Sequence, residues 1–297
     1  LYIRYVKLDE FINYLITEKH YSTHTVTAYS TDLRQFEKYI KAYFDKDEAK
    51  DVNSDMIRDW IMQLSDNKLS NRSINRKIVS LRAYFHYLIK NQELEKNPLL
   101  KILPVKSSKR NPIFIMEEDM DTIINNLEYD NNFFGTRDKL IIYLLYATGI
   151  RKAELLNLEE SDFYLSKKEI RIFGKRRKER IIPIGNQIID LVKEYTKQKK
   201  ELAVVEKKLF INEDYSNLSI TQLDKIVKKY LSVTNIKRKS PHILRHTFAT
   251  HLMNEGADIM NVKELLGHQS LEATQIYAHN TIERLKNVYK QKHPRSE

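Results

Sequence analysis

Four side chains within residues 240–279 combine into one chemistry: His242, Arg245, His268 and Tyr277. His242 and Arg245 stand three residues apart, a spacing that puts both on one face of a helix. Gly267 precedes His268 at the end of an apolar-periodic stretch, where a helix stop takes glycine. Tyr277 follows inside a short segment that Ser270 can N-cap. Tyrosine is a covalent nucleophile. A phenol with a pKa of about 10, however, is ionised in only about one molecule in a thousand at pH 7. A histidine within reach can take that proton. Arginine adds a rigid fork of donors matched to phosphate oxygens, which lysine does not copy. The set suits attack on an anion. A phosphodiester fits, because its charge rises in the transition state.

His242-Ile243-Leu244-Arg245, Leu266-Gly267-His268 and Tyr277 resemble the C-terminal signature of the tyrosine recombinases, the phage-integrase family, and of its Xer group in particular. Residues 148–155, with Arg151 and Glu154, are similar to that family's first arginine motif. Phe173-Gly174-Lys175, followed by Lys178-Glu179-Arg180, resembles its β-hairpin lysine motif. The six positions occur in the family's order, and the resemblance covers nearly the whole chain.

The resemblance implies a reaction with no metal and no nucleotide cofactor. Arg151 and Arg245 would hold the non-bridging oxygens of the scissile phosphate, and His268 would donate a hydrogen bond to it. His242 stands where the family accepts the tyrosine proton, and Lys175 would protonate the departing 5′ oxygen. Tyr277 would attack phosphorus to form a 3′-phosphotyrosyl link, which the 5′-hydroxyl of a partner strand then attacks. One ester replaces another at each step, so no ATP is needed. The resemblance also implies partners: double-stranded DNA at a dif-like site, a homo- or heterotetramer with a second Xer recombinase, and an FtsK-type DNA translocase. The task it implies is resolution of chromosome dimers. Other readings of the same residues are an integrase of a mobile element and a type IB topoisomerase. A DNA-binding protein without catalysis and a metal-dependent nuclease fit less well. All six positions are filled, and no carboxylate cluster accompanies the histidines.

The histidine spacings also admit a metal on paper, from His242 to His246 and from His246 to His251. The second spacing does not share a helical face well, HExxH is absent and so is cysteine, so a zinc site is not expected. His246 and His251 read as structural, and His279 as a packing residue.

These residues need elements to carry them. Before the first arginine, residues 137–147 form an apolar run that reads as a buried helix, and Gly149 allows the tight turn that presents Arg151. Glu154, three residues on, can pair with Arg151. Residues 169–173 and 180–184 alternate polar and apolar, as two strands around a basic loop carrying Lys175. Helices are expected over 117–127, 188–206 and 221–231, with a short strand at 209–212. After Tyr277 a basic amphipathic tail runs over 281–292. In the family such a tail docks on a neighbouring protomer.

Residues 1–104 read as four helices. One holds Leu8, Phe11 and Leu15; a second starts at Ser22; a third covers 56–64; a fourth holds Ile74, Ile78, Leu81 and Phe85 and ends at Asn97-Pro98. The polar side of the fourth carries Arg72, Arg76, Lys77 and Arg82, expected DNA contacts together with Arg176, Arg177, Lys178 and Arg180 of the hairpin. The expected fold is mainly α with a small β-hairpin or sheet (α+β). It comprises a helical SAM-like core-binding domain over 1–104, a basic, proline-bounded linker over 105–112, and a tyrosine-recombinase catalytic domain over 113–297.

Composition agrees with this. The net charge of +11 over 297 residues favours a polyanionic partner, nucleic acid ahead of a membrane. With no cysteine, disulfides and cysteine-based zinc sites are excluded. No apolar run approaches the ~20 residues of a membrane span. The opening residues show no secretory pattern, so a cytoplasmic, nucleoid-associated protein is expected.

Overall fold

Apolar side chains at helical spacing fold the chain into two units, Leu1–Arg110 and Asn111–Glu297. In a computed structural model, residues 6–106, 113–174 and 179–267 are described.

The first unit holds four helices: α1 (Val6–Thr17), α2 (Thr23–Phe44), α3 (Ser54–Asp66) and α4 (Asn71–Lys90). Each of the last three starts on a side chain that takes up an orphan backbone donor. Ser22 accepts from Thr25 N at 3.3 Å and Ser70 from Ser73 N at 3.2 Å. Asn53 accepts from Asp55 N and Met56 N. Such a cap is worth about 1 kcal/mol. The apolar stripes meet in one core around Phe11, Leu33, Ile40, Ile57, Trp60, Ile74, Leu81 and Phe85. Burying each such side chain fully contributes roughly 1.5–3 kcal/mol. Trp60 stands edge-on to Phe36 with ring centroids 4.9 Å apart.

α4 stops at Lys90, earlier than Asn97-Pro98 suggests. Gln92 is left-handed (φ 59) and Glu93 N bonds back to Leu88 O at 2.9 Å, which closes the last turn. Asn97 caps the next short turn instead, accepting from Leu99 N at 2.9 Å. Val105 and Lys106, assigned above to a linker, are tied to α4. Asn75 exchanges two hydrogen bonds with the Val105 backbone at 2.8 and 2.9 Å, and Asn71 donates to Lys106 O at 2.7 Å.

The second unit begins with α5 (Glu117–Asp121), which runs on as a wider π-type turn, Thr122–Asn126. α6 (Phe133–Thr148) is buried all round from Leu140 to Thr148, as its unbroken apolar run requires. α7 is the single turn Lys152–Leu155. A three-stranded antiparallel sheet follows in the order β1 (Phe163–Tyr164), β2 (Glu169–Phe173), β3 (Glu179–Pro183). Its register sets Ile170 against Ile182 and Ile172 against Arg180. α8 (Asn186–Glu201) ends short of residue 206, because the chain turns left-handed at Ala203 (φ 53). Residues 209–212 make a single isolated bridge among the described residues, Ile211 to Asn217, in place of a strand. α9 (Ile220–Tyr230), α10 (Pro241–Asn254) and α11 (Ile259–Leu266) complete the described residues. No described helix is long and apolar enough to cross a membrane.

Two glycines join these elements. Gly149 ends α6 at φ +58, and a Cβ there would lie 2.6 Å from the Phe248 ring and 2.7 Å from Leu266. The α6 end therefore packs directly on α10 and α11. Gly267 ends α11 in the same left-handed geometry, φ +63.

Candidate active site

The last turn of a helix leaves carbonyls without partners and carries the negative end of its dipole. Here three arginines from three different elements supply the donors. Arg180 Nε, from β3, donates to Leu265 O at 2.9 Å. Arg245 Nη2, from α10, donates to Leu266 O at 2.7 Å, and Arg151 Nη2, from the α6–α7 turn, to Gly267 O at 2.8 Å. Arg245 Nη1 also bonds Gly149 O.

One carboxylate serves this cluster. Glu154 sits in the only turn of α7, where its Oε2 accepts the Arg151 backbone N–H at 2.9 Å. Its Oε1 accepts Arg151 Nη1 at 2.8 Å. Arg180 grips both oxygens, Nη1 to Oε1 at 3.0 Å and Nη2 to Oε2 at 2.8 Å. The expected Arg151–Glu154 pair is present, with a third member the sequence reading placed elsewhere. Burial alone would raise the Glu154 carboxyl, but its bonds to Arg180 and Arg151 outweigh that and hold it below the usual range. The Arg245 guanidinium is pushed down to about 10, first by burial and then by the positive charges of Arg151 and Arg180. It remains cationic at neutral pH.

Among the described residues the bonds above thus join three positive charges to one negative. The cluster also keeps donors in hand. A guanidinium has five N–H groups; in the bonds above Arg245 uses two of them and Arg151 two. Arg151 is also the most open of the three, with 37% of its side chain exposed against 14% for Arg180. A cationic, donor-rich cluster of this kind is chemically suited to an anion with paired oxygens, such as a phosphate.

The other expected residues are distributed as follows. His242 lies in the first turn of α10, on its exposed side and one turn before Arg245. Lys175, His268 and Tyr277, with Arg176, Arg177, Lys178 and His279, lie outside the described residues. His251 is buried and structural, as expected: its Nε2 donates to Ile115 O at 2.9 Å and its Nδ1 faces Tyr146 Oη at 3.0 Å. Burial also lowers its pKa. Among the described residues no group of three His, Asp or Glu side chains is arranged to hold a metal.

Two expected DNA contacts need correction. Arg180 is committed within the protein through Glu154 and Leu265, so it presents no free fork to a duplex. Lys77 is buried and bonds Asp32 Oδ1 at 2.9 Å and the Gln35 side chain, because it faces α2 across the core. Arg76 pairs with the same Asp32 but stays half exposed. Arg82 bonds Ile102 O, and Arg72 is exposed. Strand parity was the signal for Arg180. Residues 180, 182 and 184 share one face, and Ile182 and Ile184 are core.

Comparison with known proteins agrees with both units. Residues 8–92 match the phage integrase N-terminal SAM-like domain and residues 114–284 the phage integrase family. The chain is 36% identical over 303 residues to a tyrosine recombinase XerC of Syntrophus aciditrophicus (strain SB), covering 97% of each chain. It is 36% identical over 293 residues to a tyrosine recombinase XerC of Listeria welshimeri, again covering 97% of each. Among solved structures, the XerH site-specific recombinase bound to palindromic difH substrate, in a post-cleavage complex, superposes with a TM-score of 0.71 at 26% identity, over 89% of this chain and 79% of that one. The Tn1549 transposon integrase in complex with transposon right end DNA shares the fold, with a TM-score of 0.75 at 19% identity over 94% and 99% of the two chains.

Proposed function

The chain belongs to the phage integrase family, as a Xer-type tyrosine site-specific recombinase that binds DNA, and we propose that its arginine cluster is the phosphate-holding part of the catalytic centre. The observation that carries this is the imbalance at the end of α11, where, among the described residues, Arg151, Arg180 and Arg245 gather around the carboxylate of Glu154. A negatively charged ligand completes such a site.

In this reading Arg151 and Arg245 bind the non-bridging oxygens of the scissile phosphate, and their donors strengthen as charge develops on them. His268 is the residue that follows Gly267, whose carbonyl Arg151 holds; it donates a further hydrogen bond to the phosphate. Tyr277 attacks phosphorus, His242 takes its proton, and Lys175 protonates the departing 5′ oxygen. The bond to the 5′ oxygen breaks as the tyrosyl ester forms. A 5′-hydroxyl from a partner strand reverses the exchange, so the two steps balance without an external energy source.

The substrate in this proposal is a short dif-like duplex site. The working assembly is a homo- or heterotetramer with a second Xer recombinase, activated by an FtsK-type DNA translocase, and the task is resolution of chromosome dimers. The identity to XerC relatives along nearly the full chain supports this over a mobile-element integrase, whose likeness here is one of fold.

Covalent trapping tests the reading. A pool of nicked suicide duplexes with randomised core sequence is incubated with protein in EDTA, and linked DNA is recovered and sequenced. A 3′ adduct that vanishes in Tyr277→Phe, while duplex binding persists, is the expected result. Binding persists because many separate phosphate contacts supply the affinity. An adduct formed by Tyr277→Phe contradicts the assignment.

A further inference from the structure

The geometry points to Arg180 as a positioning residue for the strand-transfer reaction, an inference that rests on the phosphate-holding role proposed for Arg151 and Arg245. Arg180 is not placed to meet a substrate. Its three nitrogens are all engaged within the protein, with Glu154 Oε1 at 3.0 Å, Glu154 Oε2 at 2.8 Å and Leu265 O at 2.9 Å.

What it touches explains what it does. Glu154 Oε1 is shared between Arg180 Nη1 and Arg151 Nη1, at 3.0 and 2.8 Å. With Arg180 present, the carboxylate is neutralised from one side and steadies Arg151 from the other. With Arg180 removed, the buried charge of Glu154 falls on Arg151 alone, drawing in its fork and offsetting the charge that a phosphate needs. The second contact fixes the other wall. Leu265, Leu266 and Gly267 present successive carbonyls to Arg180, Arg245 and Arg151, so one helix end sets the spacing of all three guanidiniums. Arg180 ties that end to β3, which the register sets against β2 at Ile172.

Gly267 shows how close this fit is. A Cβ at that position would stand 3.2 Å from Arg180 Nη1 and 3.4 Å from its Cζ. Any side chain there presses on the Arg180 fork. A displacement of about 1 Å in a reacting group costs on the order of 100-fold in rate.

The experiment is single-turnover adduct formation on the trapped duplex recovered above, in EDTA at saturating DNA, with Arg180→Met and Arg180→Lys. Arg180→Met is expected to slow adduct formation by about 100-fold. Its duplex affinity and the salt dependence of that affinity stay as in the unsubstituted chain, since no phosphate contact is lost. Arg180→Lys keeps the charge but cannot span both Glu154 oxygens and Leu265 O, so it is also slow; it carries the same readouts if Arg180→Met does not fold. Because Glu154 and Arg180 act as a unit, adding Glu154→Gln to Arg180→Met costs no further rate.

An unchanged rate overturns the inference. So does a shallower salt dependence with rate at saturation unaffected, which makes Arg180 a phosphate contact, and so do losses that multiply in the double variant. Failure of the unsubstituted chain to form any Tyr277-dependent adduct overturns the catalytic reading and this inference together. An adduct from that chain, with Arg180→Met equally fast, overturns this inference alone.

Discussion

Each unit of the chain builds an ionic network across its helices, and the two are balanced differently. In the first unit Asp32, on α2, is buried and meets Lys77 and Ser80 of α4 at 2.9 and 3.0 Å, with Arg76 at the rim. Lys77 is spent there: Asp32 and Gln35 take its ammonium, and Trp60 faces it at 5.9 Å. In the second unit one carboxylate, Glu154, stands among three guanidiniums, and backbone carbonyls at the end of α11 take the surplus donors. Buried charge that serves structure is matched by close partners, because an unpaired one costs several kcal/mol. A site that awaits an anion keeps cations in excess. In the proposed reading the mismatch at Glu154 is the functional signal, and the buried Asp32–Lys77 match, with Arg76 at its exposed rim, is a structural one.

Breaking the balanced network has the largest effect on folding. Asp32→Ala leaves Lys77 as an uncompensated buried charge and costs about 3–5 kcal/mol. Trp60 is the only tryptophan, so its fluorescence during urea unfolding follows the first unit alone. A midpoint unchanged from the unsubstituted chain would mean that the network is not structural.

Breaking the unbalanced network spares the fold and removes chemistry. Arg245→Lys keeps the positive charge but loses the fork that reaches both Gly149 O and Leu266 O and that, in the proposed reading, also meets the phosphate. Its adduct rate should fall by about 10²–10³, with duplex affinity close to the starting value. Cleavage at the original rate would show that charge alone suffices.

A third contrast lies within the first unit. Glu37 Oε1 is buried with no hydrogen-bond partner among the described residues. Burial pushes its carboxyl up to about 7, with Asp9 adding to the rise and Arg34 opposing it. A folded-state pKa raised above the ordinary 4.5 contributes stability that is present at low pH and lost as pH rises through about 7. The Trp60-detected urea midpoint should thus decline through that window, and Glu37→Gln should flatten the decline. A decline of the same size in Glu37→Gln would assign it to another group.

The smallest effect separates spent cations from free ones. Arg72→Ala should reduce the slope of log affinity against log salt by about 0.9, as expected for one lost phosphate contact, whereas Lys77→Met leaves it unchanged. Equal slopes in the two variants would remove the distinction.

The helices, their order and the family were legible because periodicity and motif spacing are local properties of a chain. Ser22 as a cap, Gly149 and Gly267 as left-handed turns, and the Arg151–Glu154 pair followed from that local reading. Lys77 and Arg180 did not, because a charge on a strand or helix declares its face only when the opposing element is known. Lys77 has Asp32 across from it, 45 residues away in sequence. Arg180 has Leu265, 85 residues away. The end of α4 was misplaced for a related reason. Proline marks where a helix cannot continue, but the Asn91–Gln92 turn ends it sooner.

The central claim is that the surplus of arginine exists to meet phosphate charge. Replacing one non-bridging oxygen of the scissile phosphate by a methyl group removes that charge and leaves the ester bonds in place. Adduct formation by Arg245→Ala should then be far less impaired, relative to the unsubstituted chain, on the methylphosphonate duplex than on the phosphate duplex. The same deficit on both would contradict the claim, and would mean that Arg245 holds the site together without answering the charge of the substrate.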